Sequence, residues 1–120
     1  MELDNRLIIL KDAGQIDEDI YIKIIEIISM FKKRWNVELK EENGAMLITH
    51  LCIALQRIKN KSIVEEINEE LYEEVKLNKH FKTCERVFSD ITIELNMDVP
   101  KSEKSFVMMH LCVLFDKENN

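Results

Sequence analysis

Apolar residues recur along almost the whole chain at intervals of three and four positions, which is the spacing of one face of an α-helix. The clearest run has successive intervals of four, three, one, three and four positions: Ile20, Ile24, Ile27, Ile28, Phe31 and Trp35. Acidic residues precede this run and three basic residues occupy its last turn, as the helix macrodipole favours. The pattern predicts a helix over this segment, with Trp35 mostly buried at its end.

The segments on either side of this run also show helical spacing. Three leucines near the N-terminus mark a first short helix, and Gly14 ends it as a C-cap. After the second helix, residues 37–42 form a connector. Asn43-Gly44 then opens a third helix that runs from about Ala45 to Ile58.

Three more helices are predicted in the second half of the chain. Ser62 and Glu65 form a capping box that starts a fourth helix, which reaches about Val75. A fifth helix carries apolar residues from Phe81 to Leu95, and a last one runs from about Lys101 to Phe115. The predicted fold is all-α, a compact bundle of five to six helices.

Composition agrees with this fold and excludes several others. Apolar residues make up 46% of the 120 positions, which is enough to form a hydrophobic core. The chain has only 2 glycines and 1 proline, whereas β-sandwiches and glycine-rich nucleotide-binding loops need more turn residues. Because no interior linker or low-complexity stretch interrupts the pattern, residues 1–120 are expected to form a single domain.

Charge and targeting signals set expectations about partners and location. The chain has 17 basic and 23 acidic residues, a net charge of −6, which argues against a large nucleic-acid surface. No signal peptide is recognised, and no apolar run is long enough to span a membrane. Three cysteines are an odd number in a chain that needs no disulfides to fold. We therefore expect a cytoplasmic protein that binds neither nucleic acid nor membranes directly.

A short sequence repeats at an interval of sixty positions. His50-Leu51-Cys52 recurs as His110-Leu111-Cys112, and apolar positions upstream and downstream match at the same interval. This predicts two related antiparallel helical hairpins. The alternative is that two amphipathic hairpins align by helical spacing alone, because two repeats are too few to establish a period.

Groups that could carry catalysis or bind a metal are sparse. No nucleophile, base and orienting group converge by helical spacing. His50 and Cys52 are two positions apart, so they face different directions on a helix and cannot bind one metal ion. A row of glutamates within residues 65–74 resembles a metal or partner surface, but it is more typical of a solvated helix face. We expect no enzymatic activity, no metal and no cofactor.

The two repeated histidines each lie at the edge of an apolar stripe. Seven positions further on, nearly the same side of the helix carries Arg57 after His50 and Lys117 after His110. One interpretation is a pair of hydrogen-bonded core histidines. The other is a pair of interfacial imidazoles that change charge, and this predicts one shared groove with Arg57 or Lys117 within reach. His80 has no histidine partner in the repeat and is expected to be an ordinary surface or turn residue.

Two segments around these histidines resemble the motifs of a known family. The segment Leu47–Arg57 resembles the first histidine motif of the phosphotransferase-system regulation domain (PRD): His-Leu, three residues, an aliphatic residue, one residue and Arg. The segments Val99–Glu103 and Phe106–Leu111 resemble the second motif, and Phe81–Cys84 is similar to the Phe-x-x-Ala between them. The resemblance covers about residues 3 to 115.

The resemblance implies a regulatory module. PRDs are helical bundles that often dimerise, and their histidines accept phosphoryl groups from phosphocarrier proteins of the bacterial sugar phosphotransferase system. By match, His50 and His110 are the candidate phosphoryl acceptors, and Arg57 and Glu103 occupy the supporting positions, with Lys117 as a further candidate. The implied partners are such a phosphocarrier or transport component and a second copy of the chain.

The sequence departs from the family pattern near the second histidine and in its domain content. Lys104-Ser105 stand where the family usually has an aliphatic residue and glycine, and no nucleic-acid-binding domain is recognised. Two alternatives therefore stay open. One is a helical interaction bundle that has lost phosphorylation, and the other is a small-molecule or metal-binding helical protein or an enzyme.

Overall fold

The computed structural model describes residues 2–62 and 68–118, and within these ranges every regular element is an α-helix. There are six of them: α1 (Leu3–Asp12), α2 (Glu18–Trp35), α3 (Glu41–Lys59), α4 (Glu69–Lys76), α5 (Phe81–Leu95) and α6 (Lys101–Glu118). The prediction of an all-α bundle is confirmed. None of the described helices is both long and apolar enough to cross a membrane.

Helix ends in the first third of the chain follow the predicted capping chemistry. Gly14 has a φ of +76°, and the amides of Gly14 and Gln15 donate to the carbonyls of Lys11 and Leu10. This arrangement satisfies the last carbonyls of α1, and glycine adopts the left-handed conformation without strain. At the start of α2, the Asp17 carboxylate accepts the amide of Ile20 at 3.0 Å.

The third helix begins at Glu41, four residues before its predicted start. The side-chain oxygen of Asn43 accepts the Lys40 amide at 2.7 Å, so Asn43 caps the helix from inside its first turn. A side chain at Gly44 would lie 3.2 Å from Leu39, which packs across this turn. The prediction that Asn43-Gly44 opens the helix was therefore wrong, because the pair lies inside the first turns of α3 and permits close packing there.

The remaining boundaries also differ from the predictions, and α4 begins at Glu69 rather than directly after Ser62. The Asn68 side chain caps α4 by accepting the amides of Glu70 and Leu71 at 2.8 and 3.3 Å. The predicted capping box reaches Glu65, which lies outside the described residues. The last helix extends to Glu118, three residues beyond the prediction.

The two halves of the bundle repeat the same local geometry at an interval of sixty residues. Asn36 and Asn96 end α2 and α5 in the left-handed conformation, with φ of 53° and 51°. The helices that follow begin at Glu41 and Lys101, also sixty positions apart. These coincidences support two related hairpins, α2–α3 and α5–α6. The closest interhelical packing joins α3 to α6.

Trp35 lies between the two hairpins, at the edge of the core. It was predicted to be mostly buried, and it is partly buried against the core, with its indole N–H donating to the Asp90 carboxylate at 2.9 Å. Asp90 also pairs with Arg34 at 3.3 Å. The end of α2 is thus tied to α5 by packing and by a polar contact.

Candidate functional site

His50 and His110 face each other across the packed surfaces of α3 and α6. Their ring centroids are 5.1 Å apart, with the ring planes inclined by 42°. The other neighbour of the His50 ring is Phe106, at 5.4 Å. Both histidines are half-buried. The structure therefore brings the two predicted acceptors together at one interhelical site.

An ion pair closes one side of this site. The Arg57 guanidinium donates to both oxygens of the Glu103 carboxylate, at 3.0 and 3.1 Å. The Glu103 side chain is 2% exposed, whereas that of Arg57 is 32% exposed. Glu103 lies on the same face of α6 as His110, seven positions earlier, so helical spacing directs both toward α3. Two of the three predicted supporting residues therefore contact each other beside His50.

Burial favours the neutral form of both imidazoles. Burial, together with the positive charge of nearby His110 and Arg57, lowers the pKa of His50 to about 4. Burial also lowers the pKa of His110 below its ordinary value. A neutral imidazole keeps a nitrogen lone pair, which is what nucleophilic attack requires.

The two histidines differ in the accessibility of their ring nitrogens. Nε2 of His50 is buried without a hydrogen-bond partner, and it lies 3.8 Å from Oε1 of Glu103. That distance is too long for a hydrogen bond. Among the described residues, the side-chain atoms that are buried without a hydrogen-bond partner include neither ring nitrogen of His110. Of the four ring nitrogens of the pair, Nε2 of His50 is thus the one that is buried without a partner.

An open groove of about 260 Å³ adjoins His110 between α3 and the second half of α6. Its lining includes Met46, Met109, Val113 and Lys117. Met46 is 70% exposed and Val113 is 47% exposed, so the rim of the groove is apolar. Lys117, the remaining predicted supporting residue, shares this groove with His110.

The residues that depart from the family pattern make contacts of their own. Lys104 places its ammonium 5.2 Å from the centre of the Phe88 ring. Ser105 is buried, and its hydroxyl donates to the carbonyl of Ser102 at 3.1 Å. Both residues are therefore accommodated in α6 without interrupting the helix.

His80 is a turn residue as predicted, but it is not an ordinary surface residue. Its side chain is 17% exposed, and Nε2 lies 3.7 Å from the Asp116 carboxylate without a hydrogen bond. Asn78 donates to the same carboxylate at 3.0 Å. This contact joins the start of α5 to the end of α6. Local spacing contains no signal for it, because the partners are 36 residues apart in sequence.

The three cysteines are buried, as expected for reduced thiols. Cys84 and Cys112 hydrogen-bond to each other, and this contact together with burial raises the pKa of Cys84. Burial raises the pKa of Cys52 to about 12. Within residues 2–62 and 68–118, no group of three histidine, cysteine or acidic side chains is arranged to hold a metal ion.

Comparison with known proteins agrees with the motifs around the two histidines. The chain is 24% identical over 117 residues to the uncharacterized protein YhfY of Escherichia coli (strain K12), and the match covers 98% of each chain. No solved structure gives a significant match. The family model for the PRD domain matches residues 25–112, which include both histidines and most of both helical hairpins. The chain therefore belongs to the PRD domain family.

Proposed function

We propose that this protein is a regulatory module whose histidines accept phosphoryl groups from the sugar phosphotransferase system and thereby control a protein partner or the dimer state. The observation that carries the proposal is the contact of two neutral imidazoles, with ring centroids 5.1 Å apart, at the α3–α6 interface. In this proposal the protein is not an enzyme, and it acts in the cytoplasm. Its phosphoryl donor is a phosphocarrier protein or a component of the transport system.

The proposed chemistry is a transfer between two imidazoles. A ring nitrogen of the acceptor attacks the phosphorus of the donor's phosphohistidine with its lone pair, and the donor's nitrogen–phosphorus bond breaks. The donor imidazole leaves with that electron pair and takes up the proton that the acceptor ring releases. The lowering of both pKa values by burial favours this step, because it favours the neutral form of each acceptor ring.

The consequence of transfer is a large local change in charge. A phosphoryl group adds roughly −1.5 to −2 charges at neutral pH, taking phosphorylated hydroxyls as a guide. That charge would arise at a tightly packed interhelical surface, beside Glu103 and Arg57. Arg57 is well suited to neutralise this negative charge, because a guanidinium forms paired hydrogen bonds with phosphoryl oxygens.

The apolar rim beside the site supports the proposed protein contact. Met46 and Val113 are exposed on the two helices that carry the histidines. A second copy of the chain that packs on this rim would place each phosphorylation site at the edge of the dimer contact. Charge added to His110 would then change the affinity of the two copies, and a coupling of roughly 1–3 kcal/mol regulates binding 5- to 150-fold.

The proposal is tested by transfer from a phosphorylated phosphocarrier protein, followed by phosphorus NMR. The expected result is a nitrogen–phosphorus signal from the wild-type chain, which disappears on acidification because phosphohistidine is acid-labile. A variant with both His50→Ala and His110→Ala should give no such signal at these positions. A wild-type protein that takes up no phosphoryl group would refute the proposal.

The second candidate is an interaction bundle that has lost phosphorylation. The buried Nε2 of His50 favours it, since a sealed nitrogen cannot attack a donor in this conformation. This candidate predicts normal self-association or partner binding together with no phosphoryl transfer. The same experiment therefore separates the two.

A further inference from the structure

Glu103 occupies the position in front of Nε2 of His50. Its carboxylate is 3.8 Å from that nitrogen, and its side chain is almost completely buried. A phosphoryl group on this nitrogen would meet a carboxylate of the same charge at close range, where water cannot screen the repulsion. Phe106 covers another side of the ring. Nε2 of His50 is therefore a poor acceptor while Glu103 stays in place.

The same contact removes the cation that a phosphorylated His50 would need. Nε and Nη2 of Arg57 both donate to the two oxygens of Glu103. A new anion on His50 gains this guanidinium only if it displaces Glu103, whose buried charge would then lack its partner. The ion pair opposes phosphorylation of His50 twice, by repulsion and by competition.

His110 has neither obstacle. Its ring nitrogens are not sealed, and it adjoins the open groove that also contains Lys117. We propose that the Arg57–Glu103 ion pair acts as a gate on His50, so that His110 accepts a phosphoryl group first. This inference rests on the proposed function, namely that the histidine pair accepts phosphoryl groups. Here Glu103 is a positioning residue that acts on His50 and takes no part in the transfer.

The gate also predicts how the second site becomes available. A phosphoryl group on His110 would lie close to the His50 ring, whose centroid is 5.1 Å away. The new negative charge attracts Arg57 and repels Glu103, which weakens the ion pair. Phosphorylation of His110 thus promotes opening around His50, although direct repulsion between two phosphoryl groups limits double modification.

The test uses phosphoramidate, a small phosphoryl donor that needs no docking surface. The histidine nitrogen attacks its phosphorus, the phosphorus–nitrogen bond of the donor breaks, and ammonia leaves with the proton that the ring releases. Peptide mapping of the wild-type protein at early times should find the group on His110 at least about tenfold more often than on His50. Equal early occupancy would overturn the gate.

Variants then test Glu103 directly. His110→Ala should lower the initial rate of phosphorylation at least about tenfold. Adding Glu103→Gln to this variant should raise the rate again about tenfold, because the glutamine amide does not repel the incoming phosphoryl group. Adding Asp90→Asn instead is the matched control. Like Glu103, Asp90 pairs with an arginine and contacts a second side chain, but Asp90 lies on α5 and Glu103 lies on α6.

The outcomes separate the gate from the proposed function. If Asp90→Asn restores the phosphorylation rate as Glu103→Gln does, then a general loosening of the fold explains the faster rate, and the gate is overturned. Failure of Glu103→Gln to speed modification of His50 overturns it too. A wild type modified on neither histidine, by phosphoramidate or by a phosphocarrier, overturns the proposed function and the gate together.

Discussion

At the scale of single residues, the environment of His50 combines burial with nearby positive charge. Its ring lies between His110 and Phe106, and Arg57 lies close enough to disfavour protonation. The result is an imidazole that stays neutral over the physiological range. That property suits a nucleophile, and it also makes the folded state sensitive to acid.

The pH dependence of stability follows from this shift. The pKa of His50 is about 4 in the folded protein against 6.5 for an ordinary histidine, so between these values the unfolded chain binds the extra proton. The contribution of His50 to stability is complete above pH 6.5 and is lost as the pH falls toward 4. From pH 7 to pH 5, the free energy of unfolding should fall by about 2 kcal/mol through His50.

Urea unfolding at both pH values measures this loss, and His110 acts in the same direction because its pKa is also lowered. The His50→Gln variant keeps a polar side chain that does not titrate. Its stability should therefore depend less steeply on pH than that of the wild type. An unchanged dependence in the variant would show that His50 is not the titrating group.

The sequence contained much of the site but not all of its contacts. The repeat predicted that His50 and His110 share one groove with Arg57 or Lys117 within reach, and the motif match gave Glu103 a supporting position. They did not predict that Glu103 seals Nε2 of His50, because that depends on how closely α3 and α6 approach. A contact between two helices that are far apart in sequence cannot be recognised from the hydrophobic periodicity of either helix.

At the scale of helices, the Arg57–Glu103 ion pair ties the end of α3 to the first turn of α6. Arg57→Met would leave a buried carboxylate without its cation. We expect it to lower the free energy of unfolding by about 3 kcal/mol at pH 7. Lys59→Met is the control, since its pair with Asp17 is exposed on both sides and should contribute less than about 1 kcal/mol. Equal losses in urea unfolding would contradict this difference.

Trp35 tests the contact between α2 and α5. Trp35→Ala removes a partly buried ring and should cost about 3 kcal/mol of unfolding free energy. Trp35→Phe keeps most of the packing and loses only the hydrogen bond to Asp90, so it should cost about 1 kcal/mol. Thermal or urea unfolding compares them. An alanine variant as stable as the wild type would place Trp35 outside the cooperative core.

Helix boundaries show where local rules succeed and where packing overrides them. Gly14 was predicted correctly as the end of α1, because a left-handed C-terminal glycine acts within a few residues. The acidic residues expected before α2 include Asp17, whose carboxylate caps that helix. The start of α3 was predicted four residues late. Gly44 has a low helix propensity, and its value here lies in allowing Leu39 to pack against the backbone.

At the scale of the whole molecule, the repeated hairpins determine where the two histidines meet. Because α3 and α6 are equivalent helices that pack against each other, equivalent residues meet at their contact. One histidine in each half therefore becomes a pair. The same arrangement leaves the apolar rim around Met46 and Val113 exposed beside the pair.

This rim leads to a prediction about assembly. We expect a homodimer near micromolar concentration that forms through the rim, so Met46→Glu should weaken self-association at least about tenfold by placing a charge in an apolar contact. Ile93→Glu is the control, because Ile93 is 69% exposed on α5, away from the histidine pair. Sedimentation velocity over a concentration series measures both. A single 14.2 kDa species at all concentrations would remove the dimer from the account.

The central claim is that the contact between His50 and His110 is a phosphoryl-acceptor site, and intact mass spectrometry after incubation with a phosphorylated phosphocarrier tests it most directly. The wild type and His80→Ala should gain the mass of one phosphoryl group, because His80 lies outside the pair. The double variant with His50→Ala and His110→Ala should gain none. Loss of the mass gain in His80→Ala, or its persistence in the double variant, would contradict the account.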